Sequence, residues 1–164
     1  MSRPFSTPEE AEAAFYDAIE RADIGALDAV WSNDENIVCV HPGASRIEGR
    51  NEVLESFRQM FSDAPILDFS IVDTLYTGND SLAVHLVREE IALDGQVVSI
   101  MVSTNIYQME DGGWRMLLHH ASPEPDSAFN DELDDFHSFS GPGYDDQDDD
   151  MDEWDEPSKP PVLH

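Results

Sequence analysis

Six histidines, one cysteine and a few strand-borne amides carry most of the chemistry open to this 164-residue chain. His41 stands directly before Pro42 at the end of a short apolar run, and histidine is the side chain whose proton exchange falls near neutral pH. The same ring could instead bond a loop carbonyl. The doublet His119-His120 lies in a β-rich run, where successive side chains point to opposite faces, so one of the two rings faces inward in either register. His85 and Asn105 occupy two further runs of strand character, and a buried amide needs hydrogen-bond partners. Histidines from different strands could converge on a metal, yet no pair has helical i, i+4 spacing and no His-Glu-x-x-His occurs, so no metal site is expected. Cys39, alone and inside an apolar strand, reads as packing, and a single cysteine excludes an intrachain disulfide. Without a Gly-x-Ser-x-Gly elbow or a phosphate-cradling glycine loop, hydrolase and nucleotide-dependent readings lack support.

The elements that must position these residues can be read from periodicity. Thr7-Pro8-Glu9-Glu10 supplies a capping hydroxyl, a proline at the first helical position and an acid behind it. Ala11, Ala14, Phe15, Ala18, Ile19 and Ala22 follow at three- and four-residue steps, which predicts a helix with one buried stripe. Asp23 caps a shorter helix with Leu27, Val30 and Trp31 on one side, and a third helix runs from Gly49 to Ala64-Pro65. The period then becomes that of strands: a short run at 36–40 and longer ones at 66–76, 81–93, 96–109 and 114–122. Asp94-Gly95 and Asp111-Gly112-Gly113 are hairpin chemistry. The layout is α+β, with helices covering one face of an antiparallel meander. Runs such as Val98-Ser99-Ile100-Met101-Val102 are apolar on both parities, which implies a partner subunit on the other face.

Charge divides the chain after Pro123. Residues 124–164 hold 15 acids and one base, a net of −14, while residues 1–123 hold 21 acids and 7 bases, also −14 but spread over three times the length. The expected organisation is a folded domain at 1–123 and an acidic, mostly disordered tail at 124–164. Phe129, Phe136, Phe139 and Trp154 interrupt the tail's acidity; it reads either as a solubilising segment or as one that docks on a basic, apolar protein groove. A net charge of −28 disfavours nucleic-acid and membrane-surface partners. No apolar run approaches a bilayer span, and the first residues carry no secretory signature, so a cytoplasmic location is expected.

In order and spacing, the helix ending at Trp31, Ile37-Val38-Cys39-Val40-His41-Pro42-Gly43, Gly49-Arg50, Thr104-Asn105-Ile106-Tyr107, Gly112-Gly113-Trp114-Arg115-Met116 and His119-His120-Ala121-Ser122 resemble the SnoaL-like branch of the nuclear transport factor 2-like superfamily. The resemblance covers residues 7–123. It implies a cone: a curved antiparallel sheet wrapped around the long N-terminal helix with two shorter helices, a pocket between them, and homodimers through the outer sheet face. Ketosteroid isomerases share this cone, and the comparison places His41 where they carry a carboxylate base and Asn105 where they carry a hydrogen-bond donor to the oxyanion. It places Phe15, not Tyr16, at their oxyanion-hole tyrosine, with Tyr16 pointing elsewhere.

Strand parity gives an independent view of what could meet. If Asn105 faces the pocket, so do Ser103 and Tyr107; on the preceding strand His85 lies with Ala83, Val87 and Glu89. Matching to the isomerases favours His119 over His120. Arg88, Glu89 and Glu90 read as cross-strand pairs near an interface. The expected site is therefore His41 and Asn105 as base and donor, with Trp31, Ser103, Tyr107, His85 and His119 against the ligand, although Trp31, His85 and His119 are also ordinary core residues. Two functions follow: binding of a small, largely apolar molecule with cofactor-free acid–base chemistry, or a non-catalytic homodimeric assembly module whose acidic tail engages a protein partner.

Overall fold

The structure, a computed structural model, describes residues 5–63 and 66–125. The acidic segment from residue 126 onward, with the disorder and docking expected of it, lies outside the described residues. Helix α1 (Pro8–Glu20) opens as its sequence dictates. Thr7 Oγ1 accepts from Glu10 N at 3.1 Å, and Glu10 reaches back to accept from Ser6 N at 2.8 Å. Helix α2 (Ile24–Val30) is capped by Asp23, whose carboxylate accepts from Ala26 N, and α3 (Arg50–Asp63) starts after Gly49, held at φ +87°.

Six strands form one curved, unclosed sheet: β1 (Val38–Val40), β2 (Ile47–Glu48), β3 (Asp68–Gly78), β4 (Leu82–Leu93), β5 (Gln96–Glu110) and β6 (Gly113–Pro123), in spatial order β2-β1-β6-β5-β4-β3. The connections β4–β5 and β5–β6 turn through Asp94-Gly95 and Asp111-Gly112, each residue at positive φ, the conformation that tight hairpins require. Two features differ from the expected meander. The sheet is mixed, because β1 pairs parallel to β6 with Cys39 beside His119, and β2 adds a two-residue edge. A two-residue strand carries no readable period, and parallel pairing is invisible to hairpin signals. In β3 the register shifts between Val72 and Leu75, with Asp73 at φ +48°, a bulge that redirects the outer strand.

The helices cover one sheet face and the core lies between. Phe15 is its hub, meeting Tyr16, Trp31, Phe57 and His119 with ring centroids 4.9–6.2 Å apart. Arg50 ties α2 to α3 by donating to the carbonyls of Asp28, Trp31 and Ser32. Trp114 is buried at the start of β6 and its amide donates to Phe5 O, which fastens the segment before α1 to the hairpin. On the opposite sheet face Leu75, Leu86 and Val102 stand exposed at 62, 41 and 44%. No helix among the described residues is long and apolar enough to cross a membrane.

Candidate functional site

Strand parity and one helix face build the interior of the cone. From β4 and β5 the side chains of His85, Glu89, Ser103, Asn105 and Tyr107 point towards α1, and from α1 the i, i+4 pair Glu12 and Tyr16 points back. The structure thus brings together four of the expected residues, His85, Asn105, Tyr107 and His119, and joins them through two that were not expected. Asn105, fully buried, donates through Nδ2 to Tyr16 Oη at 3.0 Å and to Glu12 Oε2 at 3.3 Å, and its Oδ1 lies 2.6 Å from His119 Nδ1. With the amide nitrogen engaged as donor, Oδ1 is the acceptor, so Nδ1 of His119 carries the proton. Burial holds the His119 ring far below its usual value, at about 3, so it is neutral near pH 7. Its neighbour His120 is exposed.

Glu12 Oε2 is the acceptor at the centre of the network, receiving Asn105 Nδ2, Tyr107 Oη at 3.2 Å and His85 Nδ1 at 2.9 Å. An oxygen that accepts from an amide and a phenol also accepts from the imidazole, which fixes the His85 proton on Nδ1. Burial, with Glu12 nearby, raises the Tyr107 hydroxyl well above its ordinary range.

The second branch runs through Tyr16. Its hydroxyl donates to Glu89 Oε1 at 2.5 Å while accepting from Asn105. This corrects the expectation that Tyr16 points elsewhere: Phe15 takes the aromatic hub, and the next residue carries the hydroxyl to the sheet. It also corrects the reading of Glu89 as an interface pair. Arg88 is the residue facing outward, donating to Glu90 and in bidentate fashion to Glu124, whereas Glu89 is buried. Burial, reinforced by Glu12, raises the Glu89 carboxyl, and the Tyr16 bond only partly opposes this. Both signals were legible: Glu89 has the parity of His85, and Glu12 lies one turn before Tyr16.

His41 stands outside this network, immediately after β1. Ser56 Oγ donates to Val53 O at 2.7 Å, so it accepts from His41 Nε2 at 2.9 Å, and the free lone pair is on Nδ1, 3.9 Å from Cys39 Sγ. The ring packs edge-on to Phe57, and burial lowers its pKa, leaving a neutral imidazole. Burial pushes the Cys39 thiol up to about 12, consistent with inert packing. Trp31 lies between Phe15 and Phe57 as a wall. Its Nε1 and the Oγ of Ser103 are buried with no hydrogen-bond partner among the described residues.

A pocket of about 350 Å³ opens at the C-terminal ends of α1 and α3, lined by Ile19, Glu20, Met60, Phe61, Leu67 and Phe69 among others. Its walls connect to the interior: Phe69 packs on Tyr16 at 5.9 Å and Phe61 on Phe57 at 6.0 Å. Among the described residues no three metal-ligating side chains converge.

The SnoaL-like domain family matches residues 9–126, which spans the three helices and all six strands. The chain belongs to the SnoaL-like family. Its fold is that of the nuclear transport factor 2-like and ketosteroid isomerase-like proteins. One similar structure is a calcium/calmodulin-dependent protein kinase type II association domain, so assigned provisionally, from Thiobacillus denitrificans. It is 33% identical with a TM-score of 0.72, over 76% of this chain and 100% of that one. Another is a provisionally assigned dehydratase of the NTF2-like family from Streptomyces avermitilis, 30% identical with a TM-score of 0.65, over 71% and 92%. The F-box protein SKIP8 of Arabidopsis thaliana is 25% identical over 108 residues, 66% of this chain; the chain spans about half, 46%, of that relative.

Proposed function

We propose that this SnoaL-like protein binds a small, largely apolar organic molecule at the open end of its cone and acts on it by cofactor-free acid–base chemistry. The observation that carries this reading is the continuity from the apolar pocket through Phe69 to Tyr16 and on to Glu89, a buried carboxyl whose pKa burial raises above the ordinary carboxylate value. His41, neutral and with a free Nδ1, is the base of the proposed reaction, and Asn105 is the donor to a developing oxyanion. A ligand oxygen reaches the Asn105 amide by replacing its longer bond, the one to Glu12. Ser103 and Trp31, with their unpartnered polar atoms, and Tyr107, His85 and His119 complete the surroundings. The 30% identical dehydratase relative supports chemistry of this class in such a cone.

Native mass spectrometry of the full chain, followed by denaturing extraction, tests the reading. A retained molecule of defined mass is expected in the wild type. It should be lost on Leu67→Arg, which fills the pocket mouth, and its turnover should be lost in the double variant Tyr16→Phe, His41→Gln. A wild-type protein that retains no molecule, or a molecule whose retention Leu67→Arg leaves unchanged, would overturn it.

A second reading, assembly through the outer sheet face, is favoured by the exposed Leu75, Leu86 and Val102 and by the association-domain relative. In this reading the chain is a homodimer, and the acidic tail engages a protein partner. Light scattering should return twice the 18.4 kDa chain mass for the wild type and once that mass for Leu86→Glu, Val102→Glu. An unchanged mass in the double variant removes the interface.

A further inference from the structure

The opposite end of α1 carries a second opening into the same polar interior. A groove of about 420 Å³ lies between the start of the helix, at Thr7 and Glu9, and the β3–β4 hairpin, at Tyr76 and Asp80, with His85 and Trp114 forming its inner wall. His85 is 1% exposed and its Nδ1–H is held by Glu12, so Nε2 is the atom the ring has left for the groove it lines. That arrangement, a carboxylate fixing one imidazole nitrogen while the other meets a cavity, is how proteins orient a histidine for a ligand. Tyr76 stacks on the ring at 4.0 Å and also reaches Glu12, which holds the imidazole in place from its outer side.

We propose that this groove is a ligand site for a small primary ammonium compound with an apolar or aromatic body. Three observations select that chemistry. The lining holds two carboxylates, Glu9 and Asp80, and no lysine or arginine, so an anionic ligand meets repulsion and a cation meets attraction. Glu9 and Glu10 in the first turn also offset the positive end of the α1 dipole, which would otherwise oppose a cation there. The aromatic rings of Tyr76 and Trp114 offer cation–π and stacking surface. An ammonium in the groove donates one N–H to His85 Nε2 and turns its charge towards Asp80 and Glu9. The groove is a separate opening from the apolar pocket, at the N-terminal rather than the C-terminal end of α1, and the two meet only through the buried network that Glu12 joins to His85.

Calorimetry on the full chain with 2-phenylethylammonium, and with 2-phenylethanol and 3-phenylpropanoate as the neutral and anionic matches, tests the proposal. The ammonium should bind at least about tenfold more tightly than the alcohol, and the carboxylate should not bind. His85→Gln should lose about tenfold or more of the affinity for the ammonium. Asp80→Asn and Glu9→Gln, both at the surface, should each lose roughly threefold and should fold normally, which keeps the test decisive if the buried His85 variant does not fold. Leu67→Arg, which blocks the apolar pocket and lies outside the network, should leave the affinity unchanged, so loss of the acid–base reading would not remove this one. Equal affinity for ammonium and alcohol, absence of ammonium binding at millimolar concentration, or indifference to both acidic substitutions would overturn it.

Discussion

Glu12→Ala is expected to cost about 3–5 kcal/mol of folding stability, because it removes the shared acceptor of a set of buried donors. His85 Nδ1, Asn105 Nδ2 and Tyr107 Oη all converge on Oε2 of this one carboxylate. Networks of this kind are non-additive, so a cycle with His85→Leu should show coupling of about 1–3 kcal/mol: once the imidazole is gone, losing Glu12 costs less. Glu12→Gln should recover only part of the stability, since its amide turns N–H groups towards donors. Urea unfolding of the single and double variants measures both quantities. A cost below about 1 kcal/mol, within the range of an ordinary surface change, would mean that the network does not support the cone.

The second large effect is a dependence on pH set by His119. In the unfolded chain this imidazole takes up a proton near pH 6.5; in the folded protein, burial delays that until about 3. Its contribution to stability is therefore fully present above pH 6.5 and is lost as pH falls from there towards 3, where the unfolded state binds the proton that the folded state refuses. Between pH 7 and 4.5 the loss should amount to about 2.5 kcal/mol from this residue. His41, also lowered by burial, adds to the slope in the same direction. Glu89 works the other way: its folded-state pKa is raised above 4.5, so it favours the folded state as pH falls through that raised value towards 4.5. His119→Gln can still donate to Asn105 Oδ1 but cannot titrate. It should flatten the slope on the acid side, as read by urea unfolding at pH 7 and 4.5. If the variant lost as much stability on acidification as the wild type, the buried neutral histidine would not be its source.

These two effects belong to residues that differ in how plainly the chain announces them. Thr7-Pro8-Glu9-Glu10 caps a helix wherever it occurs, and Asp94-Gly95 turns a hairpin, because capping hydroxyls and positive φ act within a few residues and need no distant partner. The alternation along β4 and β5 likewise assigns His85, Ser103, Asn105 and Tyr107 to one face before any packing is known. For that reason most of the candidate interior could be read as a set of parities. The doublet His119-His120 shows where this stops, since parity guarantees one inward ring and only the register of β6 against β5, Asn105 opposite His119, selects it.

What the sequence by itself determined was thus everything of short range: the helix starts, the turns, the inward faces, the concentration of acid beyond residue 123, and a spacing of motifs that the SnoaL-like family shares. The tertiary structure alone decided which side chains meet across those elements. It turned Tyr16 to the sheet, buried Glu89 while leaving Arg88 outside, made Glu12 the common acceptor, set β1 parallel to β6, and kept His41 with Ser56 apart from the network. The reason is physical: a carboxylate on a helix is most often solvated, and its burial becomes tolerable only when donors from strands more than seventy residues away arrive together, a condition that no local pattern encodes.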